Sequence, residues 1–225
     1  VQDAIPIRRI WSDGIFLCGN QYSKTWSFTD INYAIAGKDD KTAMFLDYSE
    51  LLNALDSGAS AKITLCNRRV NKAEFERSVL LPMKGDALDE YRREFNEMLL
   101  AQATGGNSIV RERYLTVSVV KRSIDEARAY FARVGTDLVT HFAALSSVAA
   151  ELPVNDRLRI FRDFFKVGQE PAFEFNIAEN AKRGQHFKDW LCPDSMEFAA
   201  DHFKIDGRFG RVLYLQDFAS YLKDS

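Results

Sequence analysis

Apolar residues recur along the chain with two different periods, and these periods predict which segments are strands and which are helices. A period of two is typical of a strand with one buried face, and a period of three to four is typical of a helix with one buried side. The period of two predicts strands over residues 24–35, 59–70, 109–120 and 148–152. The helical period predicts helices over residues 38–58, 86–105 and 124–145.

Capping residues mark the ends of the predicted helices. Ser123 and Glu126 form a capping box at the start of the last helix, in which each side chain can bind the other residue's backbone amide. Asp86 is placed to cap the middle helix, and Gly105–Gly106 is placed to end it. The middle helix carries a single stripe of residues at helical spacing: Leu88, Tyr91, Phe95, Met98 and Gln102.

The order of these elements predicts the fold class. Residues 24–152 follow the order β-α-β, inserted α, β-α-β, which is the split β-α-β order of a ferredoxin-like α+β core. In this order we expect strands 59–70 and 109–120 to be antiparallel central neighbours. A hairpin over residues 5–18, turning at Asp13–Gly14, precedes the core.

The chain is predicted to divide into two regions. Residues 1–152 hold the hairpin and the ferredoxin-like core, and residues 153–225 form a smaller C-terminal α/β subregion. We expect the subregion to contain a helix capped by Asn155 or Asp156 and ended by Gln169–Pro171. One short helix within 172–192 and two short strands around Asp206–Gly207 follow. Because the chain starts at Val1 and stops at Ser225, we expect both ends to be cut from a longer protein.

Charge and cysteine content narrow the class of protein. The formal net charge is −2, which argues against a dominant role in binding nucleic acid, since such proteins carry a clustered basic excess. Three widely spaced cysteines, Cys18, Cys66 and Cys192, fit a reducing compartment better than a disulfide framework. No apolar run approaches the roughly 20 residues that span a membrane.

Motifs for catalysis are missing from the sequence. A phosphate-binding loop requires G-x-x-x-x-G-K-[ST], but the one Gly-Lys pair, Gly37–Lys38, is followed by Asp39 and has no glycine five positions upstream. His186, Cys192 and His202 provide too few ligands, at the wrong spacing, for a tetrahedral zinc site. We therefore expect no catalytic, cofactor-binding or metal-binding residue in this chain.

Several segments resemble a known family. They are Gln2–Ile7, Ser12–Ile15, Tyr22–Thr25, Phe28–Tyr33, Asp39–Thr42, Asn67–Asn71 and Gly207–Arg211. They are similar to the amino-terminal region of the conjugal-transfer ATPase of type IV secretion systems, in the form carried by integrative and conjugative elements of Gram-positive anaerobes. The block K-T-x-x-F-x-D-I-N-Y, which starts at Lys24, is the most specific part of the resemblance.

The resemblance implies a function for the chain as part of a larger protein. In that family a RecA-like motor domain follows this region and binds ATP and Mg²⁺, so the parent is expected to be an ATPase although this piece is not. The region is expected to be an interaction or docking domain for other channel components and other subunits. The implied location is the cytoplasmic face of the membrane of a Gram-positive bacterium, with membrane contact through partners and no direct binding of nucleic acid.

Two other classes stay open at this point. The chain could be a free-standing cytoplasmic adaptor with the same fold, or an enzyme in its own right with a site that the motifs do not reveal. Asp30, Asn32 and Tyr33 are candidates for an interaction surface, because they combine polar and aromatic groups between a strand and a helix. The alternative is a turn, in which Asp30 and Asn32 bind backbone amides and Tyr33 packs.

Overall fold

Antiparallel sheets and helices make up the part of the chain that this computed structural model describes, residues 2–69, 79–105, 109–167 and 175–217. The strands are β1 Ile7–Ile10, β2 Phe16–Cys18, β3 Gln21–Phe28, β4 Ala59–Arg69, β5 Ile109–Val120, β6 Ala149–Glu151, β7 Met196–Phe198, β8 Phe203–Ile205 and β9 Arg208–Gly210. The helices are α1 Lys38–Asn53, α2 Asp89–Gly105, α3 Ile124–Ala144, α4 Val154–Phe165, α5 Ile177–Lys182 and α6 Phe187–Leu191. The predicted α+β class is confirmed.

The larger sheet has the order β1–β2–β3–β5–β4, and β6 also pairs with β3. The strands β6–β3–β5–β4, with α1 and α3 in the connections, therefore have the order of a split β-α-β arrangement. Assignment to the ferredoxin-like fold itself stays a prediction. The predicted antiparallel pair β4–β5 is present, from Ala59↔Val119 to Arg69↔Ile109. Only β5 is central, however, because β3 occupies its other side and leaves β4 at the edge.

The main core lies between α3 and one face of the sheet, which we call the helix face. On β3 and β5, alternate residues point to this face, and Trp26, Leu115 and Val117 are fully buried there. Ile124, at the start of α3, is partly buried against them. Apolar residues at helical spacing along α3 and at its C-cap are buried: Ala127, Phe131, Val134, Leu138, Phe142 and Leu145. Burial of each valine, leucine or phenylalanine in this set stabilises the fold by about 1.5–3 kcal/mol relative to an exposed side chain.

The start and the middle of α3 are both adapted to this packing. The Ser123 hydroxyl accepts a hydrogen bond from the Glu126 backbone amide at 3.2 Å, as predicted, while the Glu126 carboxylate accepts from the Arg122 amide rather than the Ser123 amide. Gly135 is buried in mid-helix, where a Cβ would lie 3.0 Å from Glu151 Oε1 and 3.4 Å from the Trp26 ring. Glycine therefore allows α3 to approach the sheet closely at Trp26.

A second core lies on the opposite face of the sheet, which we call the α4 face. It combines residues of the N-terminal hairpin with residues of the C-terminal helices: Ile5, Ile7, Phe16, Val154, Leu158, Phe175, Phe187, Leu191 and Cys192. This core contains residues from both predicted regions, and the boundary at residue 152 stays a prediction. The predicted caps of α4 are wrong, because the N-cap is Pro153 and both Asn155 and Asp156 lie inside the helix.

Several predicted boundaries also differ from the structure. The strand predicted over 24–35 ends at Phe28, and the helix predicted over 38–58 ends at Asn53. Two short helices, α5 and α6, replace the one predicted within 172–192. The C-terminal sheet has three strands instead of two, with a turn at Asp206–Gly207 where both residues have positive φ. The predicted helix end at 169–171 lies outside the described residues.

The difference between a buried and an exposed apolar stripe gives a stability test. Phe131→Ala should lower the free energy of unfolding by about 3–5 kcal/mol, because Phe131 on α3 is fully buried. Phe45→Ala is the matched control on α1, where the ring is 65% exposed, and it should change the free energy by less than about 0.5 kcal/mol. Urea unfolding followed by circular dichroism measures both. Equal losses for the two variants would contradict the packing described here.

Candidate functional site

The α4 face of the sheet carries a groove, because α4 covers only part of it. Two cavities line up along the groove, one of about 660 Å³ at its charged end and one of about 260 Å³ lined mainly by hydroxyl groups. Tyr114 and Ile160 line both cavities. This groove is the candidate ligand site, since concave surfaces with converging polar groups are where ligands usually bind.

The charged end of the groove is organised around Glu112. Arg68 donates a hydrogen bond to Glu112 Oε1 at 2.8 Å, and the Tyr114 hydroxyl donates to Glu112 Oε2 at 2.6 Å. Burial by itself would raise the pKa of Glu112, but the bonds from Arg68 and Tyr114 outweigh burial and hold this pKa below its usual value. Glu112 is therefore ionised at neutral pH and is not poised to transfer a proton.

The neighbouring tyrosine and cysteine are held in their protonated forms. Burial raises the pKa of Tyr114, and the Glu112 carboxylate raises it further. Burial also raises the pKa of the Cys66 thiol, with an added contribution from the negative charges of Glu112 and Asp163. A protonated thiol is a poor nucleophile. The charged end is thus arranged as a network of fixed ion pairs, which favours structure or binding over chemistry.

The histidines lie away from this groove. His141 is on α3, so the sheet separates it from Cys18 and Cys66. His186 caps α6 by accepting from the Lys188 amide, and Asp189 completes the capping box. Within the described ranges, no three His, Cys, Asp or Glu side chains lie close enough together to hold a metal ion.

The smaller cavity, which we call the hydroxyl pocket, has the sheet as its floor. Its lining residues are Cys18, Gln21, Ser23, Thr25, Lys62, Thr64, Tyr114, Thr116, Ser118, Arg157, Ile160 and Phe161. Thr25, Thr116 and Lys62 form one row across three strands, and Ser23 and Ser118 belong to the next row. The Thr25 and Thr116 hydroxyls are 2.9 Å apart and hydrogen-bonded.

Arg157 is the most unusual residue of the hydroxyl pocket, because its guanidinium is almost completely buried. It donates to the backbone oxygens of Gly14 at 3.0 Å and Ser23 at 2.6 Å, and to Ser23 Oγ at 2.7 Å. Its guanidinium carbon lies 4.1 Å from the centre of the Phe16 ring. Burial lowers the pKa of Arg157 to about 9, so the side chain is still a cation at neutral pH.

A second candidate surface is the open edge of β4. In the described part of the chain β4 pairs with β5 alone, and β5 between 109 and 113 has β4 as its sole strand partner. Ile63 and Leu65 point to the helix face but are 48% and 61% exposed, so neither α1 nor α3 covers them. Among the described residues, this edge therefore combines backbone groups that have no strand partner with exposed apolar side chains.

Two helices add exposed apolar residues. On α1 only Leu51 is buried, while Phe45, Leu46 and Leu52 are exposed. The predicted stripe begins one residue before α2 and faces solvent in the described part of the chain: Leu88, Tyr91, Phe95 and Met98 are all exposed. The side chain of Gln102 lies outside the described residues. The other side of α2 is anchored through Asn96, which forms hydrogen bonds with the Leu81 backbone in both directions.

The residues proposed from the sequence as an interaction surface, Asp30, Asn32 and Tyr33, lie in the loop between β3 and α1. All three are exposed. Asp30 accepts a hydrogen bond from the Ile31 amide and forms an ion pair with Arg113 at 2.6 Å. Tyr33 has the Lys41 ammonium 5.0 Å from its ring centre. These contacts are compatible with the turn and with a binding surface, so both interpretations stay predictions.

The sequence interpretation missed the groove residues. Hydroxyl residues alternate with apolar ones on β5 at Thr116 and Ser118, and on β3 Ser23 and Thr25 occupy alternate positions with Lys24 between them. These alternate positions in the sequence could have predicted that one face of the sheet is polar. The burial of Arg157 had no comparable signal, because arginine is usually exposed.

The Glu112 network predicts a pH-dependent contribution to stability. A carboxylate whose pKa is lowered by folding stabilises the fold above its ordinary pKa, near 4.5, and loses this contribution as the pH falls through the lower folded-state value. Glu112→Gln should therefore lower the free energy of unfolding by about 1–2 kcal/mol at neutral pH. The difference in free energy of unfolding between the unmodified chain and Glu112→Gln should shrink below pH 4.5, which chemical denaturation at several pH values measures.

A surface ion pair provides the control for this experiment. Glu197→Gln removes the exposed pair with Lys204, which spans 3.3 Å, and should cost less than about 0.5 kcal/mol at either pH. A loss for Glu112→Gln that is the same at neutral and acidic pH would show that the charge of Glu112 is not what stabilises the groove.

Comparison with known proteins does not assign the chain to a family. No protein-family model matches it, and no curated protein is significantly similar to it. None of the helices in the described segments is long and apolar enough to cross a bilayer. The resemblance carried by Lys24–Tyr33 therefore stays a prediction.

Proposed function

We propose that this chain is a non-catalytic docking domain that binds another protein of a conjugative type IV secretion apparatus along the edge of β4. The observation that carries the proposal is a strand of 11 residues, Ala59–Arg69, that pairs on one side only among the described residues, with Ile63 and Leu65 exposed beside its open edge. Edge strands of soluble proteins are usually short, charged or covered, because an open edge can pair with another chain. A long open edge with exposed apolar side chains at its centre, Ile63 and Leu65, therefore supports a partner that completes the sheet.

The binding mode that fits this edge is the addition of a strand. An extended segment of the partner would pair its backbone with the open side of β4, and its alternate side chains would lie on the two faces of the sheet. On the helix face it would meet Ile63 and Leu65, and on the α4 face it would meet Lys62 and Thr64. Backbone hydrogen bonds then supply affinity, and the side-chain pattern supplies specificity.

The charges of β4 indicate the chemistry of this partner. The strand contains Lys62, Arg68 and Arg69 and no acidic residue. Arg68 is paired with Glu112, whereas Lys62 is exposed. An extended segment that alternates apolar with acidic residues would place the apolar ones beside Ile63 and Leu65 and a carboxylate opposite Lys62, where cross-strand pairs of opposite charge are favourable.

The family resemblance supports the choice of partner. In the conjugal-transfer ATPases the amino-terminal region is expected to contact other channel components at the cytoplasmic face of the membrane, and the ATP- and Mg²⁺-binding motor follows it. A chain whose polar groove holds fixed ion pairs and whose apolar surface lies at a sheet edge suits such a docking role. A free-standing adaptor without a motor is the alternative, and the full reading frame of the gene distinguishes the two.

The docking proposal predicts the effect of charges placed on the edge. Ile63→Lys combined with Leu65→Lys should leave the melting temperature nearly unchanged, because both side chains are exposed. Binding to the partner should weaken at least about tenfold, since apolar cross-strand contacts are replaced by buried charge. Biolayer interferometry against each purified soluble segment of the other transfer proteins measures this loss.

A lysine placed on an unrelated apolar position provides the matched control. Leu213→Lys changes a side chain that is 85% exposed and distant in sequence from β4, and binding should be unaffected. If the unmodified chain binds none of the transfer proteins, the docking function is wrong. If it binds one of them and the two lysines have no effect, the docking function stands but the β4 edge is not the contact.

A further inference from the structure

We infer that the hydroxyl pocket binds the phosphate group of a small anionic ligand. This inference does not rest on the docking proposal: Lys62 and Thr64 belong to both surfaces, but the hydroxyl pocket lies on the α4 face, whereas the exposed apolar residues of β4 lie on the helix face. It rests on three properties of the pocket: the hydroxyl groups of its floor, the buried cation at its base, and the absence of acidic side chains from its described lining.

The floor of the pocket offers several hydrogen-bond donors on a rigid surface. Ser118 and Thr116 on β5, Thr25 on β3 and Thr64 on β4 belong to neighbouring strands of one sheet. Hydroxyl groups can rotate to donate to an oxyanion, so no rearrangement of the backbone is required. Ser118 forms no side-chain hydrogen bond to a described residue, which leaves its hydroxyl available.

The base of the pocket is formed by a buried cation that lacks a carboxylate partner. The three hydrogen bonds of Arg157 use both N–H groups of Nη1 and one of Nη2. The Nε–H and the second Nη2–H form no hydrogen bond to a described residue, and no described carboxylate forms an ion pair with Arg157. A buried charge without a counter-ion is costly, so an anionic ligand would relieve that cost.

The rim and the size of the pocket restrict the ligand. Lys62 provides a second, exposed cation at the rim, and a pocket lined by two cations and no acidic residue among the described ones selects for anions. A volume of about 260 Å³ admits a phosphate group with a few attached atoms and is too small for a nucleotide or a polymer. Ile160 and Phe161 form an apolar wall that suits the carbon part of a small phosphate monoester.

Two-dimensional NMR of the ¹⁵N-labelled chain tests the inference. Inorganic phosphate, glycerol 3-phosphate and acetate are titrated separately at constant ionic strength. Phosphate or the monoester should shift the amide signals around Thr116 and Ser118 saturably, with a dissociation constant on the order of 1 mM. Tighter binding of the monoester would identify the natural ligand as an organic phosphate, and equal binding would identify the free anion. Saturable binding of acetate alone would overturn the phosphate assignment.

Variants at the rim and the floor keep the test independent of Arg157, whose replacement would disturb folding. Lys62→Gln should weaken phosphate binding about threefold to fivefold, and Ser118→Ala should weaken it about threefold. Lys38→Gln, on α1, and Ser60→Ala, which shares the Ser118 row but does not line the pocket, are the matched controls. Absence of saturable shifts, or equal losses in the controls, would overturn the inference.

Discussion

The packing of α3 against β3 and β5 is the interaction on which the rest of the structure depends. Because side chains alternate along a strand, burying Trp26, Leu115 and Val117 under α3 turns the hydroxyl residues between them to the opposite face. A shift of one residue in the pairing would exchange the two faces, so the apolar core fixes the register. The main core and the polar floor of the groove are therefore two consequences of one constraint.

The open edge of β4 follows from the same arrangement. The order β3–β5–β4 places β4 at the border of the sheet, where α3 does not reach and where α1 buries only Leu51. Ile63 and Leu65 contribute little to the stability of the folded chain, since both side chains stay exposed to solvent. Their burial by a partner would stabilise the complex by roughly 25 cal/mol for each Å² of apolar surface removed from water. This is the physical reason for treating the edge as a docking surface rather than as part of the core.

The sequence predicted the elements that have strong periodic patterns and strong caps. The stripe of α3 and the alternation on β5 were both recognisable, because burial on one side imposes a regular period. The position of β4 at the edge was not, since strand order depends on partners that are distant in sequence. The role of Arg157 was equally hidden: its hydrogen-bond partners Gly14 and Ser23 are 143 and 134 residues away. Apolar stripes on α1 and α2 predicted helices but not what covers them.

Amide hydrogen exchange of β4, measured residue by residue by NMR with and without a bound transfer protein, tests the central claim most directly. In the free chain, alternate amides of Ala59–Arg69 should exchange rapidly, because only one side of the strand is paired with β5. In the complex, the rapidly exchanging amides should become protected as the partner strand pairs with them. Protection of all β4 amides in the free chain, or unchanged exchange in a saturated complex, would contradict docking by strand addition.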